Sequence, residues 1–385
     1  MIDIIDKEKC SGCHACLNAC PKNCIQMFAD NEGFLYPHPN VDLCINCGVC
    51  EKVCPIDSKN IKNDKTICLA AINKDEKTRL SSSSGGIFTL LAEEIINNGG
   101  VVFGAAFADD FKSVEHIAIT EIESLFKLRG SKYLQSQIGK AYKEAESYLK
   151  EGLPVYFSGT PCQIAGLYTY LGKEYENLYT QDLICHGVPS PYVWKKYVEY
   201  REKIAQSVTQ GVFFRHKRNG WKNYSLCLQF ENRNKYEELA VKNIYMRGFI
   251  SNLFLRPSCH NCSFKTVNRV ADITLADFWG VEKTDLDMDD DKGTSLILIH
   301  SKKGKLLLEK INQYTCIKET DLNFAIENNS AISKSSVSHK NRNAFFEKMK
   351  SRNIDYAISS CLKIPIHIKI IRFFKRVIRK ILKIF

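Results

Sequence analysis

Eight cysteines within the first 54 residues stand in two runs, "CSGCHACLNACP" and "CINCGVCEKVCP", each with the spacing C-x2-C-x2-C-x3-C-P. Three thiolates at two-residue gaps wrap one face of an iron–sulfur cubane, and the fourth, ahead of proline, turns away to reach a neighbouring cluster. This spacing assigns Cys10, Cys13, Cys16 and Cys54 to one 4Fe-4S cluster, and Cys44, Cys47, Cys50 and Cys20 to a second. A structural zinc site would favour two C-x2-C pairs over triplets. Cys24 falls outside the pattern and reads as a packing residue. Two adjacent clusters make a wire for single electrons, and a wire needs something at each end.

A further cysteine, Cys162, follows the turn "FSGTP". Thr160 suits a helix N-cap and Pro161 the first helical position, which puts Cys162 in a first turn, where free N–H groups and the helix dipole favour an anion. Cys185 closes the strand-like "DLIC", and "RPSCHNC" sets Cys259 and Cys262 at ligand spacing. Cys162 and Cys185 end consecutive strand–helix units, so parallel neighbours would bring them close. The four could close around a third 4Fe-4S cluster; they could equally be two small core residues and a zinc half-site.

The elements that must position these residues are legible in outline. The chain has 385 residues, room for two or three domains. "ICLAAINK" reads as a strand, "SSSSGGIFTLLAEEIINNGG" as a loop opening an amphipathic helix, and "VVFGAAF" and "VEHIAIT" as strands, with two helical stretches inside 121–151. Strand–helix alternation continues through "LPVYFSG", "TPCQIAGLYTYLG", "LYTQDLICHG" and "SPYVWKKYVEYREKIA". A hairpin follows over 208–232, and strand and helix again in "ADITLADFWG" and "GTSLILIHSKKGKLLLEKI". Residues 328–341 read as a flexible linker. The fold class expected is α+β: a cluster module over 1–57, a larger mixed α/β domain over 65–330, a helical extension over 331–362 and an amphipathic helix over 363–385.

The formal net charge of +11 does not describe a nucleic-acid surface. Residues 363–385 carry eight Lys/Arg and no acid, which leaves about +3 for the rest. In that tail Ile370, Ile371, Phe374, Val377, Ile378, Ile381, Leu382 and Phe385 recur at helical spacing, with Lys375, Arg376, Arg379, Lys380 and Lys383 on the other face. It is too charged to span a bilayer; an interfacial helix on anionic lipid and a helix docked on protein both fit. The start, "MIDIIDKEKC", lacks the apolar core of a secretory signal, so a cytoplasmic protein is expected, with peripheral contact at the inner membrane face through the tail. Neither G-x-G-x-x-G after a strand nor G-x-x-x-x-G-K-[ST] occurs, which leaves a Rossmann nicotinamide site or a Walker nucleotide site unsupported.

Residues 1–57 resemble a two-cluster bacterial ferredoxin domain. The phrases "SSGGIFTLLAEEII", "RGSKYLQSQIG", "FSGTPCQIAGL", "DLICHGVPSP", "RPSCHNCSF" and "ADITLADFWG", in that order, resemble the beta subunit of coenzyme F420 hydrogenase and its dehydrogenase relatives over about 65–360. The resemblance implies bound FAD beside the clusters and an oxidoreductase that passes electrons between them and a two-electron partner. Carried onto this chain, it implies that Ser83, Ser84, Gly85 and Gly86 approach the flavin pyrophosphate, that Gly130, Ser131, Lys132 and Tyr133 supply a cation and a ring, and that Ser158, Gly159 and Thr160 line the same hollow. His186 and Lys132 are the candidate catalytic groups, His186 as a proton donor. Asp277 and Trp279 of "ADFWG" match the family motif but could simply pack.

The function expected is thus a flavin-dependent iron–sulfur oxidoreductase, with ferredoxin or another low-potential carrier as electron partner and a small organic molecule or a deazaflavin as substrate. The alternatives are an electron-transfer subunit with no substrate of its own and a structural adaptor whose α/β part has lost cofactor binding.

Overall fold

A computed structural model describes residues 1–56, 66–284 and 287–363. Among them run thirteen strands: β1 Ile25–Ala29, β2 Leu35–Pro39, β3 Ile67–Asn73, β4 Val101–Phe107, β5 Val114–Ile119, β6 Val155–Ser158, β7 Leu178–Leu183, β8 Thr209–His216, β9 Ser225–Phe230, β10 Lys235–Leu239, β11 Ile273–Asp277, β12 Ser295–Ile299 and β13 Thr315–Glu319. The N-terminal module is the hairpin β1–β2 with two short helices, Ala15–Ala19 and Val49–Lys52, each opened by a residue with positive φ, His14 and Gly48. The chain is therefore a mixed α/β protein with a cysteine-rich N-terminal module.

The larger part is built on an eight-stranded mixed sheet in the order β13-β3-β12-β11-β7-β6-β4-β5. Its centre is parallel: β4, β6, β7 and β11 run together, while the outer pairs are antiparallel. Parallel strands need both faces covered. Val155, Tyr156 and Phe157 of β6 are accordingly all buried, Tyr156 against the helices Ile87–Asn97 and Lys302–Lys310, Val155 and Phe157 against Ala141–Lys150 and Pro161–Leu171. Because β6 and β7 are parallel neighbours, their C-terminal ends deliver the segments 158–162 and 184–188 to one edge.

A second sheet, β8–β9–β10, is antiparallel and packs with the helices Pro191–Ala205, Ile244–Ile250, Arg342–Met349 and Ile354–Leu362 in one aromatic core. The third strand, β10, goes beyond the hairpin expected over 208–232. A bulge in β8 between Phe213 and His216 makes Phe214 and Arg215 consecutive buried residues; Phe214 enters that core and Arg215 is aimed back toward the large sheet.

One expectation changes. Residues 328–341 are not a free linker: Ser335 Oγ accepts from the Cys262 N–H at 3.0 Å, the Ser336 carbonyl bonds the His260 ring at 2.8 Å, and Ile332 is fully buried. A short helix, Glu76–Ser81, capped by Asp75, precedes the serine-rich loop. The amphipathic helix expected in the tail falls, apart from Lys363, outside the described residues.

Candidate functional site: three cysteine quartets and a cavity

The cysteines gather in three places. Cys20, Cys24, Cys44, Cys47 and Cys50 line one small hollow, with Cys47 exposed and Cys20 and Cys50 buried. Cys24 belongs to the wall as well as the core, its Sγ 3.4 Å from that of Cys20. Burial pushes the Cys13 thiol up to about 12, and negative charge on Cys16, Cys10 and Cys54 adds to the effect. Cys16 is raised to about 12 by burial, with Cys10, Cys54 and Cys50 adding to it. Buried thiols that repel one another as thiolates are a donor set that calls for a cationic core, which four irons supply.

The third gathering is the one that spacing alone left open. Cys162, Cys185, Cys259 and Cys262 line a single hollow together with Lys265 and Arg269. Thr160 caps the helix Pro161–Leu171 as expected, its N–H bonded to Gln163 Oε1 at 2.9 Å, and Cys162 takes the first turn. The helix end does not make Cys162 a ready thiolate, however. Burial raises its thiol strongly, and Cys262 and Cys185 raise it further; Thr160, with Oγ1 3.1 Å from the sulfur, only partly offsets this. Burial raises Cys259 and Cys185 in the same way. Desolvation outweighs the dipole here, so the set fits a metal cluster better than a reactive thiol.

The hollow is joined on both sides. Toward the N-terminus, Gly166 in the helix after Cys162 lets Cys13 approach so closely that a Cβ would stand 3.0 Å from its Sγ. Ser11 and Ile56 also line the hollow. On the other side, Cys185, His186, Gly187 and Val188 form a wall shared with a cavity of about 520 Å³, within the roughly 300–1,000 Å³ usual for ligand sites.

That cavity brings together nearly all residues singled out by the family resemblance. Ser83, Ser84, Gly86, Gly130, Ser131, Lys132, Tyr133, Ser158, Gly159, Thr160 and His186 line it. Ser83 Oγ ties two of the loops by accepting from the Ser131 N–H at 2.7 Å. Gly85 is the exception. It faces the sheet, where a Cβ would collide with the Ala71 carbonyl oxygen, and its N–H donates to Ser295 Oγ at 3.0 Å.

The two candidate catalytic groups have defined states. Lys132 Nζ donates to the carbonyls of Leu128, Arg129 and Gly130, each at 3.2 Å, and burial lowers it to about 7. His186 Nε2 lies 2.6 Å from Asn252 Oδ1, and Asn252 Nδ2 donates to the Val337 carbonyl, so the proton sits on Nε2 and is committed to Asn252. Burial lowers His186, keeping it neutral.

Several wall residues carry no signal in the sequence pattern. His116 reads as an ordinary strand residue; burial lowers it to about 4, Nε2 bonds the Ser158 carbonyl at 3.0 Å, and its buried Nδ1 has no partner among the described residues. Arg215 pairs with Asp277 at 2.7 Å and stacks 3.9 Å from the centre of the Tyr224 ring. Trp221 donates to Asp277 at 3.0 Å and stacks on Trp279 at 4.8 Å, so "ADFWG" closes one end of the cavity as well as packing.

Comparison with known proteins gives two family matches. Residues 154–323 match the C terminus of the coenzyme F420 hydrogenase/dehydrogenase beta subunit, and residues 9–58 match the 4Fe-4S dicluster domain. The resemblance seen in the sequence is borne out over residues 154–323, and the N-terminal module is a 4Fe-4S dicluster domain. An F(420)H(2) dehydrogenase subunit of Methanosarcina mazei is 24% identical over 171 residues, 42% of this chain and 48% of the relative. An uncharacterised protein of Methanocaldococcus jannaschii is 28% identical over 207 residues, 45% of this chain and 55% of the relative. The matches thus span about half the length of these relatives. Among solved structures, a chain of the F420-reducing [NiFe] hydrogenase complex from Methanosarcina barkeri is 19% identical with a TM-score of 0.47, covering 74% of this chain and 92% of that one. Among the described residues no helix is long and apolar enough to cross a membrane.

Proposed function

We propose that this iron–sulfur protein is an FAD-dependent oxidoreductase, with a third 4Fe-4S cluster on Cys162, Cys185, Cys259 and Cys262 and the flavin in the 520 Å³ cavity. The observation that carries the reading is the shared wall Cys185–Val188, whose residues line both the hollow of the third quartet and the cavity. Bound there, FAD supplies the exchange between single electrons and hydride equivalents.

The chain's own groups have clear tasks in this reading. Ser83, Ser131 and Gly86 offer short polar and backbone contacts at a helix start, which suit a pyrophosphate. Lys132, poised near 7, holds or releases a proton beside it. The free lone pair of His116 Nδ1 accepts from an N–H or O–H of the ligand. His186 orients through Asn252 and stays neutral, which makes it a poorer proton donor than the sequence suggested. The substrate is a small organic molecule or a deazaflavin-like carrier, and ferredoxin or another low-potential carrier is the electron partner.

A second reading, an electron-transfer subunit with no substrate of its own, draws on the apolar rim beside exposed Cys47, where Val41 is 68% exposed and Leu43 and Ile45 are 57% exposed. Such a rim suits a docking redox protein.

Anaerobic purification followed by flavin extraction and iron counting tests the proposal. It expects FAD near one per chain and about twelve irons, falling to about eight in Cys162→Ala. An unchanged iron count would remove the third cluster, and absence of flavin would leave the second reading, which turnover of deazaflavin by the isolated chain tests directly.

A further inference from the structure

Five arginines are deeply buried, and four of them have a carboxylate: Arg79 with Asp290, Arg215 with Asp277, Arg269 with Asp182 and Arg342 with Glu32. The fifth, Arg256, is the most completely buried, at 0% exposure, and among the described residues no carboxylate pairs with it. Its guanidinium donates instead to the Cys10 carbonyl at 2.7 Å, the Leu35 carbonyl at 2.9 Å and Gln135 Oε1 at 2.9 Å, and its Nη2 lies 3.5 Å from Cys10 Sγ. Tyr36 stacks on it at 4.4 Å. Neutral acceptors satisfy the N–H groups but leave a whole charge in a dry place. Such a charge is costly without a counter-charge.

The surroundings are built for this contact. Gly12, with φ +68°, lies so close that a Cβ would stand 2.8 Å from Arg256 Nη1. Gln135, which receives one arm of the guanidinium, returns a bond to the Ser11 carbonyl at 3.0 Å. Arg256 also bridges two quartets: its side chain reaches Cys10, while its carbonyl accepts from the Cys259 N–H at 2.9 Å.

We propose that the missing counter-charge is the cluster held by Cys10, Cys13, Cys16 and Cys54, and that Arg256 raises the reduction potential of that cluster. Four thiolates leave a 4Fe-4S cluster net negative. When it takes one electron from a one-electron donor such as a reduced ferredoxin, the negative charge grows by one, with no bond formed or broken and no proton required. A fixed cation donating toward a ligand sulfur stabilises the reduced form more than the oxidised one. The cluster nearest the third quartet thereby becomes the favoured resting place for an electron arriving through the module. This rests on the 4Fe-4S reading of the first quartet, and iron content tests that reading separately.

The test is a redox titration of the anaerobically purified chain, followed by electron paramagnetic resonance, for wild type, Arg256→Gln and Arg256→Lys, each with iron counted. Arg256→Gln is expected to disfavour one-electron reduction of one cluster about tenfold, a fall of about 59 mV, leaving the others in place. Arg256→Lys, which keeps the charge, should lie between. At full iron content, one-electron reduction equilibria within threefold of wild type for every cluster in Arg256→Gln would overturn the proposal. If Arg256→Gln loses iron, Arg256→Lys decides: retention of iron supports charge balance, and an equal loss makes Arg256 a packing residue and overturns it. Wild type lacking the irons of the first quartet would instead sink the underlying cluster reading.

Discussion

Gly166 and Cys13 are in contact across the seam between the N-terminal module and the larger domain, the glycine's missing Cβ leaving 3.0 Å to both Cβ and Sγ of the cysteine. The same seam is tied by Thr169 Oγ1 to the Val53 carbonyl at 2.7 Å, Asn18 to the Gly139 carbonyl at 2.9 Å, and the Arg342–Glu32 ion pair. A helix can approach a ligand turn this closely only where it presents no side chain. Gly166→Val therefore forces the surfaces apart, and we expect a loss of about 1–3 kcal/mol in urea unfolding. In the proposed flavoprotein, electron transfer from the module to the body should slow, read by stopped-flow bleaching of the flavin after a reductant is added. Wild-type stability would show that the seam gives way easily.

Cys20 and Cys24 compete for one place, since both line the second hollow and their sulfurs are 3.4 Å apart. The C-x2-C-x2-C-x3-C-P spacing names Cys20 as the ligand. Cys24→Ala is expected to keep its full iron content and its spectrum. A loss of about four irons would give the ligand role to Cys24.

Lys217 provides a stability signature with a definite sign. Its Nζ donates to the carbonyls of Arg79, Ser84 and Lys292 at 2.7–2.8 Å, and burial lowers it to about 7. The folded chain releases this proton near pH 7, whereas the unfolded chain holds it to about 10.4. Stability should thus rise with pH between these values, by at most about 1.4 kcal/mol per pH unit from this group. Chemical denaturation at pH 6.5, 8 and 9.5 checks it: Lys217→Met should flatten the rise, and an unchanged slope would show that the lysine is charged when folded.

Under the proposed FAD site, Lys132 should govern flavin affinity in the opposite sense. It is cationic below about pH 7 and neutral above, so an anionic pyrophosphate beside it binds more tightly at pH 6 than at pH 8.5. Fluorescence titration with FAD should show that weakening in wild type and a weak, pH-independent affinity in Lys132→Met. Equal pH profiles for the two proteins would separate Lys132 from the flavin.

What the sequence disclosed and what it hid follow from the range of the interactions concerned. The two N-terminal cysteine runs are local, so their spacing announces a 4Fe-4S dicluster. The cap at Thr160 is local as well, and so was visible, but whether Cys162 is a thiolate depends on burial by distant segments. His116, Arg215, Lys217 and Arg256 lie in unremarkable strings of residues; each gains meaning only when strands far apart in the chain bury it. The serines of 328–341 look like those of a linker because composition does not reveal that Ser335 and Ser336 meet Cys262, His260 and His186. Gly85 shows the reverse error: a glycine in an apparent phosphate loop whose smallness serves contact with β3.

The segment around Ser335 and Ser336 also imposes an order on biosynthesis. Cys162, Cys185, Cys259 and Cys262 have all left the ribosome some seventy residues before that brace does, roughly four to fifteen seconds of translation. During that interval the four cysteines lack the wall that Ser335 and Ser336 supply, and their hollow closes only when that segment docks on Cys262 and His186.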